Sequence, residues 1–73
     1  MNKLQKAKLA HYRNLYKLDG IDGMGAFALA IEAEQTLRDI GSHDPAALFF
    51  IRQKQDFEQI AYLLDLEARH ESK

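Results

Sequence analysis

Glycine and proline, the residues that most often interrupt a helix, are confined to two short segments of this chain. All four glycines and the single proline lie within residues 19–25 and 41–45. The three stretches that remain have helical length, and the chain contains no valine and no sustained alternation of apolar and polar residues. The sequence therefore predicts one all-α domain with helices at about residues 3–19, 23–40 and 45–70.

Side chains that accept amide protons stand where each helix is expected to begin. These predicted N-caps are Asn2, Asp22 and Asp44. Gln5 completes a capping box with the first of them, and Pro45 suits the first position of helix 3 because that position needs no amide proton. Gly20 can take the left-handed conformation that ends helix 1, and Gly41 stands just past the expected end of helix 2.

Helical spacing of apolar residues predicts the faces that turn inward. On helix 1 the first apolar stripe is Leu4, Ala7, His11, Leu15 and Leu18, with Leu9, Tyr12 and Tyr16 beside it. Helix 2 is apolar nearly all round in its first half, so we expect it to be the central helix. The stripe of helix 3 is Phe50, Phe57, Ile60, Ala61, Leu64 and Ala68.

A chain of 73 residues builds a small core, and it has no cysteine for a disulfide framework. Self-association is then a common source of further stability, and we expect a homodimer. Helix 3 is longer than the other two and would overhang them. The predicted self-association residues near its end are Tyr62, Leu63 and Leu66; the apolar first half of helix 2 is the alternative surface. The fold expected is a small three-helix bundle, dimeric through its long third helix, or a helical hairpin with an added N-terminal helix.

The charges are strongly polarised although the net charge is only −1. Five of the ten Lys and Arg residues lie in residues 1–18, where there is no acidic residue, so this segment carries +5 and the rest −6. Such a split indicates a surface that recruits an oppositely charged partner. The residues predicted to bind a partner are Lys3, Lys6, Tyr12, Arg13, Tyr16 and Lys17, with the basic side chains on the side of helix 1 opposite its apolar face.

These residues also have a purely structural interpretation. The basic row could pair with Glu32, Glu34 and Asp39 of helix 2, and the two tyrosines could form the edge of the core with their hydroxyls reaching water. Both alternatives remain open from the sequence.

No pattern typical of catalysis or of a bound cofactor is found. Ser42-His43-Asp44 has the residue types of a catalytic triad, but consecutive residues in one turn do not bring their tips together. Glu67 and His70 have the spacing of a di-iron ligand pair that occurs once, where such a site needs two copies. We therefore expect no enzyme, no metal and no cofactor.

The function expected is the binding of another protein. The chain would be a small adaptor, modulator or inhibitor that occludes a surface of a larger protein. The alternative is a nucleic-acid-binding accessory protein that uses the basic face of helix 1. The sequence has no apolar run long enough for a membrane span and no apolar stretch typical of a secretory signal near residue 1, which favours a cytoplasmic location.

Overall fold

The computed structural model describes residues 1–71 and contains three α-helices. They are α1 (Lys3–Tyr16), α2 (Gly23–Ile40) and α3 (Ala47–Glu71). No strand occurs within these residues. The predicted all-α fold is confirmed, and each helix boundary lies within three residues of its predicted position.

The three predicted N-caps all accept amide protons. The Asn2 side chain accepts from the Gln5 amide at 2.8 Å, and the Gln5 side chain accepts from the Asn2 amide at 3.1 Å, which completes the capping box. Asp22 accepts from Gly25 at 2.8 Å, and Asp44 accepts from the Ala46 amide at the same distance. Asn2 and Asp22 are thus the N-caps of α1 and α2, whereas the bond of Asp44 belongs to the turn before α3.

Two helix ends differ from the prediction because of local backbone geometry. Helix α1 ends at Tyr16, since Lys17 takes a left-handed conformation with φ of 53°, and Gly20 lies in the connection instead. Before α3, Pro45 belongs to a turn closed by a bond from the Ala47 amide to the Asp44 carbonyl at 2.9 Å, so regular helix begins two residues later.

Helix α3 is the central element. It packs against α1 from Asp56 to Glu67, and α2 packs along it, whereas the backbones of α1 and α2 do not approach each other within the described residues. The expectation that helix 2 is central is wrong. Alanines bring one face of α2 close to α3, and Leu29 packs against the core, but three large apolar side chains of α2 stay largely outside it: Met24, Phe27 and Ile31 are 83%, 57% and 43% exposed.

The inward face of α1 is the second of its two apolar stripes. Leu9 is buried, and Tyr12 and Tyr16 are half-buried, whereas Leu4 and Leu15 are largely exposed. The prediction that the first stripe also turns inward is wrong for its residues within α1. Helix α1 packs on one helix only, α3, and therefore buries only one of its two stripes. Its last member, buried Leu18, lies beyond the end of α1.

The buried residues form one core between α3 and its two neighbours. The core cluster is Leu9, Leu18, Ala26, Ala30, Phe57, Ile60, Leu63 and Leu64. The protein is nevertheless elongated, with extents of 45 × 20 × 17 Å. Its radius of gyration is 13.4 Å, against about 11 Å for a compact chain of this length. The hydrogen bonds from Tyr12 and Tyr16 and the ion pair of Arg13 reach α3 between Asp56 and Glu67, so among the described residues the first two turns of α3, before Asp56, lie outside these contacts with α1.

The close packing of α2 on α3 predicts a position-specific response to added volume. Replacing buried Ala30 by Leu should lower the free energy of unfolding by about 1–3 kcal/mol, because a well-packed contact has no room for the larger side chain. Exposed Ala28 provides the matched control, since Leu there should change stability by no more than about 0.5 kcal/mol. Urea unfolding measures the free energy of unfolding of both variants. Equal losses of stability in the two would contradict close packing between α2 and α3.

Candidate binding groove

Two tyrosines attach α1 to α3. The Tyr12 hydroxyl donates to Gln59 Oε1 at 3.0 Å, and the Tyr16 hydroxyl donates to Asp56 Oδ2 at 2.6 Å. The ring of Tyr16 also packs on Phe57, with centroids 4.7 Å apart. Both side chains therefore serve the intramolecular contact, and their hydroxyls have protein acceptors.

Burial and a neighbouring carboxylate change the acidity of these phenols. Burial, the hydrogen bond to Asp56 and the negative charge of that residue raise the pKa of Tyr16 to about 12. Burial, followed by the charge of Asp56, also raises the pKa of Tyr12. Each environment opposes a phenolate, because a second negative charge would form beside an existing one in a partly dehydrated contact.

Arg13 forms the third contact between α1 and α3. Its guanidinium donates to both carboxylate oxygens of Glu67, at 2.7 and 3.2 Å. The two side chains are 43% and 32% exposed, so water screens the pair and it adds little stability. Its effect is to fix the position of α1 over the C-terminal half of α3.

Beside this ion pair lies an open groove of about 580 Å³. It is formed by α1, the start of α2 and the C-terminal half of α3, and it exists because α1 and α2 do not close on each other. Its apolar lining is Ile21, Met24, Phe27, Ala61, Leu64 and Ala68. Its polar lining is Arg13, Asp22, Asp65 and Glu67, and the groove is thus an apolar channel between charged edges.

The edge formed by α1 is basic. Lys3, Lys6 and Arg13 recur at spacings that place them on one side of α1, and Lys17 follows at the next turn. Since Arg13 lines the groove, this is the side of α1 that borders it. The three lysines are exposed. On the opposite edge stand Asp22 and Asp65, the latter paired with Arg69 at 2.8 Å.

The structure distributes the six predicted partner-binding residues between two roles. Lys3, Lys6 and Lys17 lie on the exposed basic edge, whereas Tyr12, Tyr16 and Arg13 hold α1 on α3. The predicted pairing of the basic row with helix 2 is wrong for Arg13, whose partner is on α3. In the described residues Glu34 pairs instead with Arg38, within α2 itself.

Sequence reasoning missed the groove residues of α2. Met24 and Phe27 lie in a stretch that is apolar on every side of the helix, so the sequence does not show which side faces solvent. Large apolar residues in such a stretch are expected to be buried. Their exposure follows from the absence of a contact between α1 and α2, which involves residues distant in the sequence.

The predicted self-association residues are not on one surface. Tyr62 is 58% exposed and Leu66 is half-buried, but Leu63 is 2% exposed and belongs to the monomer core. A second chain could therefore reach two of the three without rearrangement. Association through this region stays a prediction.

A second cavity lies at the N-terminal end of α1. Met1, Lys6, Glu67 and His70 line it. Across residues 1–71, no group of three or more His, Asp or Glu side chains is placed to hold a metal ion. In the same part of the chain, none of the helices combines the length and the apolar character needed to cross a bilayer.

Comparison with known proteins gives no match to any family model, curated protein or solved structure.

The contact between Tyr16 and Asp56 predicts a late tyrosine titration. Because the pKa of Tyr16 is raised above its ordinary value of 10, its contribution to stability is complete below pH 10 and is lost as the pH rises through about 12. Ultraviolet absorbance of tyrosinate should show a step near pH 12 that Tyr16→Phe removes. Replacing exposed Tyr62 by Phe is the control and should retain that step; a wild-type titration without it would contradict the buried contact.

Proposed function

We propose that this chain is a small protein-binding module that receives an amphipathic helix of a larger protein in the groove between α1 and α2. The observation that supports the proposal is the combination of an open apolar channel with a basic edge. Met24 and Phe27 remain largely exposed there, although each has a large apolar side chain. Exposed apolar surface rimmed by charge is typical of sites that bind other proteins.

The shape and charge of the groove favour a helix as its ligand. Arg13 of α1 stands on one side of it, Met24 and Phe27 of α2 stand on the other, and α3 forms the floor, so a helix laid on α3 between them would complete a four-helix arrangement. The partner helix should carry an apolar stripe for the channel and acidic residues on the flank nearest α1. Lys3, Lys6 and Lys17 would then steer the encounter, while the apolar contact would supply most of the affinity.

Occlusion is the mode of action that fits a chain of this size. A single helix taken from a partner is withdrawn from that partner's other contacts, which makes the chain an adaptor, modulator or inhibitor without any chemical step. The proposal thus needs no catalytic group and no cofactor.

The alternative function is the binding of nucleic acid. The exposed lysines of α1 favour this alternative, because lysines that bind phosphates release counterions from the nucleic acid. Against it, Tyr12 and Tyr16 pack on α3, and Asp22, Asp65 and Glu67 line the adjoining groove, where they would repel phosphate. The experiment below distinguishes the two.

A labelled model helix tests the groove directly. The probe is an alanine-based peptide with leucines at i, i+3, i+4 and i+7 and glutamates along one flank, and fluorescence anisotropy follows its binding. We expect saturable binding that weakens at least tenfold in Phe27→Ser, because truncating a central apolar anchor commonly costs that much affinity. Tyr62→Ser, at a residue of almost equal exposure outside the groove, should bind like the wild type.

Charge controls complete the test. A peptide with lysines in place of the glutamates should bind more weakly, and Lys6→Glu should slow association of the acidic peptide. Failure of both peptides to bind at hundreds of micromolar would contradict a helix-binding groove. Binding of labelled duplex DNA or RNA that falls steeply with salt, and that Lys6→Glu abolishes but Phe27→Ser does not, would establish the nucleic-acid alternative instead.

A further inference from the structure

The two edges of the groove carry opposite charge. The edge at α1 has Arg13, and the exposed lysines of α1 lie on the same side of that helix. The other edge has Asp22, just before α2, and Asp65 of α3, which are both exposed. These two carboxylates belong to one edge, because a methyl group at Gly23 would lie only 3.9 Å from the Cβ atom of Asp65.

Ion pairs within each edge reduce this contrast without removing it. Arg13 is paired with Glu67 at 2.7 Å, and Asp65 is paired with Arg69 at 2.8 Å. All four side chains are at least 32% exposed, so water screens both pairs and the charges of a ligand can compete with them. The lysines leave a surplus of positive charge at α1, and Asp22 leaves a surplus of negative charge at the other edge.

The right-handed turn of α3 determines on which side each edge lies. Seen from the solvent with the N-terminus of α3 below, each residue is turned by about 100° to the right of the one before it. Asp65 therefore lies to the right of Leu64 in the floor of the groove. Glu67 follows Leu64 by three residues and lies about 60° to its left, where it meets Arg13. The basic edge is thus on the left and the acidic edge on the right.

A ligand helix is right-handed as well, so its direction decides which of its flanks faces which edge. When leucines at i, i+3, i+4 and i+7 lie on α3, the positions i+1, i+5 and i+8 form one flank and i−1, i+6 and i+10 form the other. In a helix that runs parallel to α3 the first flank faces left, toward α1. In an antiparallel helix the first flank faces right, toward Asp65.

We infer that the groove fixes the direction of the helix that it binds, through acidic residues on the flank facing α1 and basic residues on the flank facing Asp22 and Asp65. A helix with acidic residues at i+1, i+5 and i+8 and basic residues at i−1, i+6 and i+10 binds parallel to α3. Exchange of the two flanks reverses the helix. In the wrong direction like charges meet at both edges, which disfavours that complex.

This inference rests on the proposed function, because it concerns the ligand of the same groove. It adds two properties of the partner helix, which are a basic flank opposite the acidic one and a single direction of binding.

Two peptides of identical composition test the direction. Both have the leucines of the model helix described above, with glutamates on one flank and lysines on the other, and they differ only by exchange of the two flanks. A nitroxide is attached to either end of each peptide, and protein amide signals are followed by nuclear magnetic resonance. The nitroxide that broadens the signals near Ala68 most should be at the C-terminus of the peptide with glutamates at i+1, i+5 and i+8. For the exchanged peptide it should be at the N-terminus.

Reversal of one charge in the acidic edge tests its contribution. Asp65→Lys should weaken the binding of both peptides by about threefold or more, because the lysine flank then meets a lysine. It should also let the nitroxides at the two ends broaden the signals near Ala68 alike. Glu58→Lys is the matched control, since Glu58 is an equally charged residue of similar exposure on α3 outside the groove. It should retain the wild-type affinity and direction.

The possible failures separate the inference from the proposed function. If no peptide binds at hundreds of micromolar, both are overturned. If the peptides bind the wild type in one common direction, or each in both directions equally, the inference alone is overturned and the groove remains a helix-binding site. Equal effects of Asp65→Lys and Glu58→Lys would likewise overturn the inference alone.

Discussion

The seam of small residues between α2 and α3 is the contact on which the remaining structure depends. Ala26, Ala30 and Ala33 are buried in it, and a methyl group at Gly23 would lie only 3.3 Å from the Ala61 carbonyl oxygen. Residues without bulk let two helices approach closely, but they bury little apolar area. The larger core side chains therefore come mainly from α3, and the large side chains of α2 are left outside the seam. The exposed apolar side chains of α2 beside the groove follow directly from the use of small residues in its contact with α3.

Helix α1 is attached to α3 mainly through side chains with polar ends, whereas α2 contacts α3 through small apolar residues. One buried leucine, two tyrosine hydrogen bonds and one exposed ion pair hold it to α3. Hydrogen bonds of this kind contribute about 0.5–1.5 kcal/mol each, and an exposed ion pair up to about 1 kcal/mol. Helix α1 is thus the element that opens most readily, and the width of the groove follows its position. Part of the charge polarity of the sequence is also used inside the molecule, since basic α1 lies on carboxylates of α3.

The parts of this structure that the sequence predicts well are those set by neighbours along the chain. Asn2 and Asp22 cap α1 and α2 because each needs only the amides that follow it, Asp44 closes the turn before α3 in the same way, and Gly41 ends α2 as expected. The inward face of α1 could not be predicted, because its two apolar stripes are equally regular. Which of them turns inward depends on the acceptors Asp56 and Gln59, which lie 40 and 47 residues from their tyrosines. The same limit applies to the groove, because Phe27 of α2 is exposed where α1 and α2 do not make contact in the described residues. The sequence predicts that α3 overhangs its neighbours at the end with Leu63, but Leu63 is buried, and the part without α1 beside it is the first two turns, where Phe49 is exposed.

The limited reach of α1 explains why two phenylalanine side chains are exposed. Tyr16 and Arg13 hold α1 against Asp56 and Glu67, which leaves Phe49 without a covering helix and Phe27 of α2 without a contact to α1 in the described residues. Phe49 and Leu64 are fifteen residues apart on α3, which corresponds to about 22 Å along the helix axis. A helix bound in the groove beside Leu64 would therefore leave Phe49 exposed, and only a partner that extends along α3 would cover both.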